Sequence, residues 1–198
     1  MNINPTTSAI VRLFNRTFSL QEKTILVAGG QEPLYLPAAG GRAYHQIVFR
    51  ADYARSALHE VAHWCVAGRV RRQLLDYGYW YAPDGRNSEQ QTLFEQVEVK
   101  PQAYEWLLSL SAGLSFEVSL DNLGAQQTVQ SRLLTFTEHV VACAERLLEM
   151  SLPDRLGRFC TALQAEFKQP ALTTEYVRSL GQQLTTAAAE RVELLEAS

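Results

Sequence analysis

An α+β fold is predicted by three features of this 198-residue sequence. Two short apolar stretches, TILVAGG and HQIVFRA, lie in the first third of the chain and read as strands. A segment of helical period that carries two histidines follows them. Beyond about residue 125, every apolar stripe recurs at three- and four-residue intervals. The expectation is a small N-terminal β-sheet, a helical centre and an all-helical C-terminal half, within one domain over residues 1–198.

The first helix is expected over residues 5–18. Asn4 and Pro5 suit its N-cap and first helical position, and Ile10, Val11, Phe14 and Phe18 fall at helical spacing. TILVAGG is a strand closed by a glycine pair, and HQIVFRA is its companion. EPLYLPA, with prolines at both ends, suits an edge strand rather than a central one. From Asp52, a capping residue, to about Leu74, one apolar face is formed by Ala54, Leu58, Val61, Ala62, Cys65 and Val66. DYGYWYAPDGRNS then breaks the periodicity, with Pro83, Asp84 and Gly85 as a turn. Ser88 and Gln91 read as the capping box of a further helix, which Pro101 must end, kink or restart. Helices near 128–149, 153–168 and 173–196 complete the chain.

Composition narrows the function classes. Hydrophobic residues make up 46% and charged residues 20%, as in a soluble enzyme. A net charge of −3 gives no basic field for nucleic acid. No apolar run approaches a membrane span, and the N-terminus lacks the pattern of a signal peptide. Cys65, Cys143 and Cys160 are odd in number and widely spaced, which argues against a disulfide framework. A cytoplasmic protein with no membrane or nucleic-acid partner is expected.

The chemistry is concentrated in SALHEVAHWCVAG, which holds an H-E-x-x-H pattern. On a helix, His59 and His63 share a face and can aim at one metal ion. A third ligand should be a carboxylate on a second helix, and LFEQVEVKPQA offers Glu95 and Glu98, framed by Leu93, Phe94, Val97 and Val99. Two chemistries fit such a set. With zinc, in a zincin-like site, Glu60 is the general base of a metallopeptidase. With iron(II), the same ligands form the facial triad of oxygenases. A non-catalytic, metal-stabilised binding module is a third reading. Arg69, Arg71 and Arg72 would sit at the end of the histidine helix, where cations suit its dipole.

HEVAHWCVAG, DYGYWYAPDGR and FEQVEVKPQA, in that order and spacing, resemble the elongation factor P hydroxylase family. EPLYLPA and IVFRADYARSALHE extend the likeness upstream and FEVSLDNL downstream, so that it is dense over about residues 31–124. The resemblance implies an iron(II)-dependent hydroxylase that uses O2 on the β-lysylated lysine of translation elongation factor P. It carries His59 and His63 over as metal ligands, with Glu98 as the first choice of carboxylate and Glu95 as the fallback. No H-x-D pattern of the 2-oxoglutarate dioxygenases is present, so no 2-oxoglutarate site is expected. Glu60 is then a catalytic residue for hydrogen bonding or proton delivery. Tyr77, Tyr79, Trp80 and Tyr81 would wall a channel for a long cationic side chain, with Asp84 and Arg86 fixing the turn or touching substrate.

Overall fold

The structure is a computed structural model that describes residues 4–51, 53–76, 86–120 and 126–196, with the backbone alone for 126–131 and 195–196. Helix α1 spans Pro5–Phe18, with the Asn4 side chain accepting from the Thr6 amide at its start. Strands β1 (Thr24–Gly30), β2 (Leu34–Leu36) and β3 (His45–Arg50) form a sheet of order β1-β3-β2. β3 is central, parallel to β1 and antiparallel to β2, so the proline-flanked segment is an edge strand as expected. Five helices follow: α2 (Ala54–Val66), α3 (Ser88–Ala112), α4 (Gln126–Glu149), α5 (Asp154–Phe167) and α6 (Thr174–Glu196). The α+β expectation, with an all-helical C-terminal half, is met.

Three local expectations are corrected. The histidine helix ends at Val66 rather than near Leu74. Ala67 turns extended, and Arg155 of α5 donates through Nη2 to the carbonyls of Cys65 (3.1 Å) and Ala67 (2.7 Å), capping the helix from ninety residues away. Arg71 and Arg72 therefore lie beyond α2, on a short 3₁₀ turn at Arg71–Gln73, and pair with Asp76 and Glu22 instead of facing a helix terminus. The cap of α3 is Asn87 with Gln90, one residue before the pair read from sequence. Pro101 neither ends nor restarts α3, which runs through it to Ala112.

A contiguous core extends from Ile10 to Ala188. α2 lies between β3 and α3, and α3 packs in turn on α4 and α5. Behind α2, the rings of Phe14, Phe18, Trp64 and Phe159 form an aromatic knot with centroids 4.8–5.9 Å apart. Trp64 thus anchors the helix beside His63. From residue 101 onward α3 is buried almost throughout, so the two helices face each other on a rigid base.

Candidate metal centre

His59 and His63 leave the same face of α2, one turn apart, and their Nε2 atoms are 3.0 Å from each other. Across the helix pair, Glu98 of α3 brings Oε1 to 3.4 Å from His63 Nε2. One donor atom from each of these three residues lies within 4.8 Å of the others. Donor atoms gathered this closely suit one shared ion, whose bonds to histidine nitrogen and carboxylate oxygen run about 2.0–2.2 Å. The Glu98 side chain is only 4% exposed, and a carboxylate so withdrawn from water is stabilised by a cation beside it. The donor set fits a metal.

Glu105 completes the arrangement, and the sequence reading missed it. It lies two turns beyond Glu98 on α3, and its Oε2 is 2.8 Å from His59 Nδ1. A carboxylate accepting the Nδ1 proton fixes the tautomer and leaves Nε2 facing the centre. Burial works against a charged His59, but the adjacent Glu105 charge and the hydrogen bond to it, with help from Glu60 and Glu98, raise its pKa to about 10. The seven-residue spacing of Glu98 and Glu105 was the available signal, since it places both on the face opposite the histidines.

Glu60 stands beside this group. Burial pushes its carboxyl above the ordinary range; His59 and His63 pull it back, while Glu98 and Glu105 add to the rise. Its side chain lines a pocket that His63 also lines.

Glu95 is engaged elsewhere. Its Oε1 lies 3.0 Å from Arg132 Nη1 of α4 and 3.3 Å from the Gln91 Nε2 donor. The apolar frame is also looser than expected, because Leu93 and Val97 are exposed and Phe94 is buried. Arg86 is 4% exposed, with Nε donating to Gln91, Nη2 donating to the Leu120 carbonyl and the guanidinium 4.0 Å over the Phe94 ring. It anchors the segment at Leu120 onto α3. Tyr77, Tyr79, Trp80, Tyr81 and Asp84 lie outside the described residues.

A family model described as elongation factor P hydroxylase matches residues 13–177. The chain belongs to that family. A curated relative from Haemophilus influenzae, named elongation factor P lysine hydroxylase, is 54% identical over 156 residues, covering 79% of this chain and 86% of the relative. The match to this hydroxylase family reaches well beyond the stretch where the motifs are dense, into α1 at one end and α6 at the other. Membership places the chain among hydroxylases, an oxidoreductase class, and neither match supports the peptidase reading of H-E-x-x-H.

Proposed function

We propose that this protein is an iron(II)-dependent, monooxygenase-type hydroxylase that acts on the β-lysylated lysine of translation elongation factor P with O2 as cosubstrate. The observation that carries this reading is the convergence of His59, His63 and Glu98 in a chain of the elongation factor P hydroxylase family. His59 Nε2, His63 Nε2 and Glu98 Oε1 would hold the ion from one side, as a two-histidine, one-carboxylate set does, leaving the other side for small ligands. Bound iron(II) would supply O2 activation, one oxygen atom entering a C–H bond and the other leaving as water with two electrons from an external reductant. Glu105 keeps His59 in its ligating tautomer. The buried aromatic knot holds α2 in place, so the histidines need little reorganisation when metal binds. The reading invokes no 2-oxoglutarate, and a translation factor as substrate places the reaction in the cytoplasm.

The test is anaerobic reconstitution with iron(II), then air and β-lysylated elongation factor P, with intact-mass analysis of that factor. A gain of one oxygen, absent with zinc-loaded protein and with His59→Ala or Glu98→Ala, is the expected result. No mass change with iron, together with peptide cleavage by the zinc form, would replace this reading with a peptidase.

A further inference from the structure

Beside the metal centre lies a pocket whose wall includes Tyr35, Ile47, Glu60, His63 and Trp64. His63 belongs to both, so a molecule filling the pocket rests against the metal-binding group. Segment 71–76 closes another side, pinned to β2 by backbone pairing of Tyr35 with Asp76 and by the Tyr35 hydroxyl donating to the Arg72 carbonyl at 3.0 Å. The charged residues of the wall are unequal in what they have left to offer. Arg71 Nε is 2.6 Å from Asp76 Oδ2, and Arg72 Nη1 is 2.9 Å from Glu22 Oε2, so each of these cations already faces an anion.

Glu60 differs from them. Among the described residues its carboxylate makes no hydrogen bond and no ion pair, although it lines the pocket. Trp64 does not compete for a cationic ligand, because Arg155 already stands 4.6 Å from its ring and Arg72 5.9 Å. Tyr35, Ile47, Trp64 and Ala67 give the pocket apolar surface, and Arg71, Arg72 and Asp76 are already paired. The Glu60 carboxylate beside His63 is left to meet an alkyl chain ending in an ammonium group.

Resting on the hydroxylase reading above, we propose that Glu60 holds an ammonium group of the modified lysine in this pocket and so determines which side chain the enzyme accepts. This differs from the general-base role that the H-E-x-x-H pattern gives its glutamate. Pinning the charged end fixes which methylene groups lie nearest His59, His63 and Glu98. Removing the charge should therefore relax discrimination rather than remove the metal.

The experiment uses full-length protein loaded with cobalt(II), titrated by NMR with N-acetyl-lysine methylamide and with its neutral counterpart N-acetyl-norleucine methylamide. The wild type should bind the cationic probe at least about tenfold more tightly, the scale expected for one charge-assisted hydrogen bond. Glu60→Gln should keep full cobalt and its absorption spectrum while losing that preference. With β-lysylated elongation factor P, the same variant in its iron form should lose kcat/KM mainly through KM. Equal binding of the two probes by the wild type would overturn the proposal, as would a preference that survives Glu60→Gln. A cobalt spectrum reporting the amine on the metal, or a collapse of kcat at unchanged KM, would also overturn it. Failure of the hydroxylase reading is seen separately, as no oxygen added by the wild type while the probe titration still reports on Glu60.

Discussion

Glu95 and Glu98 lie three positions apart on one helix, and the neighbour each meets separates them. Glu98 faces His63 from a buried position, whereas Glu95 reaches across to Arg132. Glu98→Gln should lower metal affinity by more than about a hundredfold, while Glu95→Gln keeps stoichiometric metal and costs about 0–1 kcal/mol from a partly exposed ion pair. Metal analysis and thermal melts of both variants check this. Glu105→Gln should weaken metal binding about 10–100-fold with the fold intact, as loss of an orienting carboxylate does, and competition against a chromophoric chelator measures it. The pH dependence follows from the same contact. In the metal-free protein His59 holds its proton up to about pH 10, and metal must displace that proton. Protons and metal compete, so affinity falls on acidification and climbs about tenfold per unit between pH 6.5 and 8.5 from this group. A flat profile in zinc titrations would sink the argument, and Glu105→Gln should flatten it. At this scale the ligand histidines and the first-choice carboxylate were readable from residue type and spacing. Glu105 was signalled only by its seven-residue spacing from Glu98, because its value depends on an imidazole 46 residues earlier in the chain.

At the scale of elements, the sequence located the three strands and six α-helices of the described residues but not the 3₁₀ turn at Arg71–Gln73, and it misplaced ends set by distant residues. α2 looked longer because Val70 and Leu74 continue an apolar period, yet both are exposed once the chain leaves the helix. Its stop depends on Arg155 from α5, a partner that no local pattern reveals. Pro101 does not end or restart α3. The carbonyl it leaves without a donor belongs to Val97, an exposed residue where water can take that bond, so the helix continues. The end of α3 obeys a local rule: Gly113 has φ 66°, and the Leu114 amide returns to the Ser109 carbonyl at 2.9 Å, as in a Schellman motif. Gly113→Ala places a side chain in the left-handed region, and its Cβ would meet the Gln169 amide at 2.6 Å. That amide is the movable end of its side chain, so the backbone conformation dominates the cost, about 1–2 kcal/mol. A melting temperature lower by roughly 2–8 °C is expected, since 1 kcal/mol moves a domain of this size by about 2–4 °C. An unchanged melting point would mean that α3 ends differently in solution.

For the whole molecule, the decisive relation is between the metal centre and the core. The centre lies where α2 meets α3, but the contacts that hold these helices are apolar and extend from α1 through α6. Phe14, Phe18, Trp64 and Phe159 fix the back of α2 without any ion, and the buried half of α3 needs none. Four buried aromatic side chains contribute several kcal/mol together, at about 1.5–3 kcal/mol for a fully buried apolar side chain. A structural zinc finger lacks such a core and unfolds when its metal is removed. Chelation should therefore leave this protein folded, with its helical circular dichroism unchanged. Stability falls by the linkage of metal to the native state alone, about 2.7 kcal/mol for metal at a hundred times its dissociation constant. Spread over a chain of this length, that is a melting temperature lower by roughly 5–11 °C, with a single cooperative transition in both forms. Calorimetry with and without chelator decides it. Loss of the transition in the metal-free form would make the ion part of the fold and revive the reading of a metal-stabilised module, whereas a modest shift fits an ion held for chemistry on a scaffold that stands without it.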